Sequence, residues 1–204
     1  MAKAHLILRE ATHEWHQRVE ELSLFKKLMY PEVSVEDLLA TLSLLYAFYE
    51  RVESAIQPYF SQTSTLPYNS KKRALEADLT LLGALTQQVP GVFEVKDVAV
   101  AWGARYVLEG ASLGRKVIAR HLKKRLPAIA SSLQFYQLEP DVETSWSHLV
   151  SALEAELQTP AQIDRATTAA CDTFELLYNL AKLQRRDIKK TSVIGNPWSQ
   201  LDGI

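Results

Sequence analysis

A histidine with a glutamate one helical turn beyond it, His16 and Glu20, stands in the run Leu8-Arg-Glu-Ala-Thr-His-Glu-Trp-His16-Gln-Arg-Val-Glu20. An imidazole placed this way can offer Nε2 to a metal while a carboxylate holds its Nδ1–H and so fixes the tautomer. A second candidate lies far along the chain. Gly103, Gly110 and Gly114 account for three of the seven glycines. Spacings of seven and four residues put them within about 40° of one another on a helical wheel. Each costs a helix about 1 kcal/mol relative to alanine, so the strip has to serve a purpose. Glycine suits the close approach of a flat object, and a planar iron cofactor between the two helices is the leading idea. A kink or a tight helix crossing explains the same strip, and a histidine beside an apolar stripe is more often structural than a ligand.

Other chemistries find less support. Glu10 and His13 make one Glu-x-x-His pair, but a di-iron bundle needs a second. The residues three before His121 and His148 are Ile118 and Ser145. His13 and His16 are three apart, not the four of a zinc protease helix. Cys171 sits among Ala169, Ala170, Phe174 and Leu177, where thiols are usually inert. The chain has neither a P-loop nor a G-x-G-x-x-G.

The elements that must hold these residues read as helices. Leu8, Ala11, Thr12, Trp15, Val19 and Leu22 form one stripe, with His16 on its flank and His13 pointing outward. Ser34-Val-Glu-Asp37 is a capping box opening a helix to about Gln57. A loop from Ser61 to Ser70 follows, then a helix from Lys71 to about Gln88, stopped by Pro90-Gly91. Asp97 opens a long stretch to Leu126, ended by Pro127. Residues Val142 to Leu157 make another helix, and Thr159-Pro160 caps a last one to about Arg186. The expectation is one all-α domain over residues 1–188 with a kinked glycine-bearing helix, and an irregular tail over 189–204.

With 204 residues, 47% of them hydrophobic and 23% charged, the chain suits one sizeable core. Its formal net charge of −1 gives no general attraction to nucleic acid. Neither a signal segment nor a membrane span is visible, so a cytosolic location is expected. Basic residues cluster from Arg115 to Arg125 and from Gln184 to Lys190, which usually means solvated helix ends.

Taken together, Leu-Arg-Glu-Ala-Thr-x-x-x-His16-x-x-x-Glu20 and Tyr106-Val-Leu-Glu-Gly110-Ala-Ser-Leu-Gly114 resemble the heme oxygenases over most of the chain, from about Leu8 to Gln184. The second motif is similar to the bacterial branch that supplies bilin to phytochromes. The resemblance implies an all-α helical bundle that cleaves heme with O2 and external electrons to biliverdin, Fe2+ and CO. Heme is then both substrate and cofactor. His16 would be the axial ligand of the iron and Glu20 its orienting partner. Gly110 and Gly114 would lie against the distal face, with Ser112 beside them. Arg9 matches a basic position directed at a propionate, and Phe174 an aromatic at the heme edge. The implied partners are an electron donor such as a ferredoxin, a flavodoxin or a reductase, and a bilin-accepting phytochrome. The basic runs would be docking surfaces for an acidic donor. A non-catalytic heme carrier or sensor is the alternative.

Three departures from the family pattern stand out. Ala111 occupies a position where many members carry a carboxylate that holds distal water, leaving Ser112 or backbone groups to do so. Arg115 replaces a second glycine, where a cation can cap the pocket, reach a propionate or alter which meso carbon reacts. The helix from Val142 to Leu157 lacks Lys and Arg, so propionate contacts would fall to Arg9, Arg115, Arg120 or a nearby lysine.

Overall fold

Helix α1, Ala4–Glu20, begins without a side-chain cap of its own, and its first amides turn to a distant carboxylate. Glu154 accepts from the backbone N–H groups of Ala4 (3.0 Å) and His5 (2.8 Å), and lies 2.6 Å from the His5 imidazole Nδ1. This satisfies free donors at a helix N-terminus with a negative charge. The computed structural model describes residues 3–60, 66, 68–86, 91–137 and 142–193, with side chains at all of these except 113, 142, 143 and 185–193. The other helices are α2 (Ser23–Lys27), α3 (Val35–Phe60), α4 (Lys72–Leu81), α5 (Val98–Arg125), α6 (Pro127–Ala130), α7 (Val142–Glu156) and α8 (Pro160–Val193). No strand occurs among the described residues.

Local chemistry fixes the starts of α3, α5 and α8. At α3, Ser34 Oγ accepts from the Asp37 amide (3.1 Å) while Asp37 accepts from Ser34, the reciprocal bonds of the expected capping box. Asp97 caps α5 by accepting from the amides of Ala99 (2.9 Å) and Val100 (3.1 Å). It also pairs with Arg165 of α8 at 2.8 Å, which ties the starts of α5 and α8 together. Thr159 and Gln162 form a further box ahead of Pro160.

Several boundaries depart from expectation. Helix α3 continues through Pro58 to Phe60, because proline costs only one amide bond near a helix end already anchored by Ile56 and Phe60 in the core. Helix α4 ends at Leu81, and Gly83 follows with φ +74°, a left-handed stop. The stretch 87–90 expected to finish that helix lies outside the described residues, as do 61–65 and 67 of the expected loop. Helices α2 and α6 are additional short turns. Helix α8 runs past Arg186 to Val193, so part of the expected irregular tail is helical, and 194–204 lie outside the described residues.

Helix α8 is the common support, packing against both α1 and α5. Its small face, Ala166, Ala169 and Ala170, is buried. A Cβ built on Gly103 would stand 2.0 Å from the Ala166 carbonyl oxygen, far inside contact distance. Gly103 is therefore the α5–α8 crossing point, and the expected three-glycine strip divides into one packing glycine and two others. On the other side, α8 meets α1 where the Cys171 thiol reaches the Ala11 carbonyl at 3.6 Å. Burial raises the Cys171 pKa, as does the neighbouring Asp172 charge.

Candidate active site

His16 projects from the flank of α1 beyond the buried stripe of Leu8, Thr12 and Val19. Its side chain is 58% exposed, and that of Glu20 is 67% exposed. Nδ1 lies 3.5 Å from Glu20 Oε1, an orienting ion-pair distance that leaves Nε2 on the far side of the ring. The ring meets that of Phe174 of α8 edge-on, with centroids 5.8 Å apart at 72°. Phe174 is itself buried, so a rigid helix backs the imidazole. His13 turns outward and pairs with Gln17 at 3.1 Å.

Helix α5 reaches α1 through Tyr106. Tyr106 lies one turn before Gly110. Burial raises its pKa, while a hydrogen bond with Thr12 and the charge of Arg9 act in the opposite direction. Thr12 in turn lies one turn before His16. From this shared contact, His16 and Gly110 are each about 6 Å further along their own helices. Trp146 of α7 packs on Tyr106, with centroids 5.5 Å apart, and covers Gly110. A Cβ on Gly110 would meet the Trp146 ring at an ordinary 3.6 Å, whereas a Cβ on Gly114 would meet nothing within 4 Å. The α5 backbone is bare at Gly114, and an exposed imidazole with a free Nε2 stands on the partner helix. These two observations fit a flat, iron-bearing ring.

The remaining sequence-derived candidates are more dispersed. Arg9 is exposed on α1, two turns before His16, and Ser112 is half-buried on α5. Arg115 does not extend toward solvent. Its Nη1 donates to the Phe135 carbonyl at 3.3 Å, and its guanidinium lies 5.0 Å from the centre of the Phe135 ring. A half-buried guanidinium gains more from an aromatic face and a carbonyl than from an isolated reach outward. The propionate role imagined for it does not match that orientation.

Sequence reading passed over the polar groups behind α5. Arg105 is 1% exposed and stacks on Phe60, Trp102 and Tyr68 at 4.6, 5.3 and 5.5 Å. It donates to the Leu66 carbonyl at 2.8 Å and lies 3.7 Å from Glu109. Tyr49 donates to the Leu108 carbonyl at 3.2 Å. Asp78 is fully buried and accepts from the amides of Gln134 (2.6 Å) and Phe135 (2.9 Å), which holds the 134–136 segment against α5. Only the polar residue types at apolar-periodic positions could have signalled them. A surface hollow lies between α3 and residues 91–96, and none of the candidate site residues lines it.

Comparison with known proteins identifies the fold and the family. The heme oxygenase family model matches residues 3–182. A heme oxygenase of Xanthomonas campestris is 37% identical over 95 residues, covering 46% of this chain and 56% of that protein. The aligned stretch thus spans little more than half of that relative. The NO- and CO-bound heme oxygenase of Neisseria meningitidis superposes with a TM-score of 0.76 at 22% identity, over 90% of this chain and 92% of that one. Heme oxygenase-1 of the cyanobacterium Synechocystis, in complex with heme, gives 0.70 at 16% identity, over 95% and 97%. At such identities the solved structures establish the fold, and the family match extends over nearly the whole sequence. The chain belongs to the heme oxygenase family.

Proposed function

We propose that this protein cleaves heme with O2 and externally supplied electrons, giving biliverdin, Fe2+ and CO, and that residues 1–188 form one functional domain. The observation that carries this reading is the exposed His16, held between Glu20 and Phe174, beside a helix whose backbone is open at Gly114. Bound heme would supply the iron, the oxygen-activating redox chemistry and the ring that is cut.

The chain's own residues bind and orient. Glu20 favours the His16 tautomer that leaves Nε2 as the iron ligand. Phe174 limits rotation of the imidazole. Gly114, with Gly110 beside Trp146 at the inner edge, would let α5 come close to a bound ring, and Ser112 with nearby backbone groups would hold distal solvent. Arg9 is the cation on α1 best placed to receive a propionate. Trp146 and Tyr106 wall the inner end and exclude bulk water.

The electrons come from a separate donor. Lys123, Lys124 and Arg125 are exposed at the end of α5 and favour an acidic ferredoxin, flavodoxin or reductase. The side chains of the second basic run, from 185 onward, lie outside the described residues. No helix among the described residues is long and apolar enough to cross a membrane. The proposal places the enzyme in the cytosol, with its bilin passed to a phytochrome.

Hemin titration followed by reduction in air tests the proposal. A Soret band that forms, then bleaches to a bilin, is the expected result. A stable heme spectrum under the same treatment identifies a carrier instead. His16→Ala should lose the native axial-ligand spectrum, and its retention would move the ligand elsewhere. Reversing the charge at Lys123 and Lys124 should slow turnover with the physiological donor but not with a small chemical reductant. Equal rates with both would remove the docking role.

A further inference from the structure

Two contacts join the α1 side of the molecule to α5, one on each side of Gly114. At the inner one, Tyr106 hydrogen-bonds Thr12 of α1. At the outer one, His121 Nε2 lies 3.0 Å from the carbonyl of Tyr30, in the turn that follows α2. A carbonyl can only accept, so this nitrogen carries the proton. Gly114 falls midway, eight residues after Tyr106 and seven before His121. The opening between the two contacts therefore runs about 22 Å along α5. Seven residues carry a helix round to within about 20° of its starting direction, so His121 shares the face on which Gly114 is bare.

The outer end of that opening is firmly built, and apolar side chains stand out from it. Leu28 and Val33 are buried and anchor the turn at both ends. The Met29 and Tyr30 amides donate to the Lys26 and Lys27 carbonyls, and the Val33 amide joins His121 on the Tyr30 carbonyl. Yet Met29 and Tyr30 are 40% and 52% exposed, and Val117, about one turn before His121 on α5, is 54% exposed. Nearby cations are turned aside. Lys26 and Lys27 pair with Glu21 and Asp37, Arg120 lies about 100° round the helix from His121, and Lys124 and Arg125 stand a turn further out. Single exposed apolar side chains are ordinary, but three beside one bare helix face, continuous with a candidate site, mark a surface that takes up a ligand. At the inner contact, by contrast, the charge of Arg9 acts on Tyr106. Heme is divided in the same way: both propionates leave one edge, and the opposite edge carries only methyl and vinyl groups.

We propose that Met29, Tyr30 and Val117 form the outer wall of the heme site and receive the methyl- and vinyl-bearing edge of the ring, with His121 pinning that wall to α5. The propionates then point toward Arg9. A wall at this end limits rotation of the ring in its own plane, which governs the meso carbon that is cut. His121 acts through the turn and is a positioning residue. The proposal rests on the heme-oxygenase reading given above.

The test reads Met29 directly. Dilute hydrogen peroxide converts its thioether to the sulfoxide, which mass spectrometry follows in the heme-free protein and in the complex with gallium protoporphyrin, a redox-inert stand-in for hemin. Bound porphyrin should slow this oxidation about fivefold or more. V117W should weaken hemin binding about tenfold or more, whereas L183W, at an equally exposed position on α8, should bind as wild type does. H121A should keep the native Soret band, because His16 is untouched, but lose at least half of the Met29 protection. A wild type that binds hemin normally yet leaves Met29 equally reactive with and without porphyrin overturns the wall and leaves the heme reading intact. So does a folded V117W with unimpaired hemin affinity; if V117W does not fold, the Met29 comparison decides. Full protection in H121A removes the pin. A wild type that ignores hemin overturns both readings.

Discussion

Between Ala101 and Leu108 every residue of α5 is buried, while among the described side chains from Gly110 to Arg125 only Ala119 and Leu122 are. One helix thus has an inner half buried in the fold and an outer half that, in the proposed function, borders the heme site. The two halves use glycine for opposite reasons. At Gly103 a methyl group would strike the Ala166 carbonyl at 2.0 Å, whereas at Gly114 it would meet nothing within 4 Å. The inner glycine is required by a neighbour that is present, and the outer one keeps open a surface to which a ligand can come. A binding face of this kind needs a rigid root, and the Gly103 crossing together with the Asp97–Arg165 pair supplies it.

Substituting the two glycines is the sharpest way to break that contrast. Gly103→Ala should give the largest effect, because the obstacle is backbone and the two helices must part. A loss of about 3 kcal/mol or more is expected, at or beyond the upper end for overpacked sites. Thermal unfolding followed by circular dichroism measures it. A Tm within a few degrees of wild type would mean that the crossing is loose, and the inner half would then not be the rigid root described.

Asp78 joins the halves through the 134–136 segment and should come next. Its carboxylate serves two backbone amides, and Asp78→Ala leaves both without an acceptor. A loss of about 2–3 kcal/mol in urea unfolding is expected, with faster hydrogen exchange at Gln134 and Phe135. Unchanged exchange at those two amides would show that the segment is held by packing alone.

Gly114→Ala should run the other way. With no steric obstacle, the heme-free protein should gain about 1 kcal/mol from helix propensity. Its hemin affinity should fall roughly tenfold, about 1.4 kcal/mol, because the new methyl stands where the ring must approach. Stability and binding moving in opposite directions would be the mark of a site glycine. Unimpaired hemin binding would place the ring elsewhere.

How far these roles could be read in advance depended on the distance over which each is decided. The boxes at Ser34–Asp37 and Thr159–Gln162 and the Asp97 cap close within three residues, so the sequence displays them directly. The flank position of His16, its glutamate one turn on, and the spacing of Gly110 and Gly114 are helical periodicity, equally local. The division of labour among the glycines is not local, because only the α8 crossing shows that Gly103 meets Ala166. The direction of Arg115 depends on Phe135, and the burial of Asp78 on amides more than fifty residues away. The end of α4 turns on a left-handed Gly83 that an apolar pattern running further conceals.

The smallest effect expected concerns the clamp that joins the walls beside the site, α1 and α7. Burial raises the Glu154 carboxyl, but the hydrogen bonds from the His5 backbone, the His5 imidazole and the Ala4 backbone together outweigh it, and the pKa sits below its usual value. A carboxyl depressed in the folded state adds stability above its unfolded pKa of about 4.3 and loses it as pH falls through the folded value. The wild type should therefore lose more stability than Glu154→Gln on acidification from about pH 5 to pH 3. Urea midpoints across that range measure the difference. Parallel curves throughout would mean that the clamp carries no net charge energy, and that α1 is held to α7 by its amide hydrogen bonds and by the burial of Leu8 and Leu153 alone.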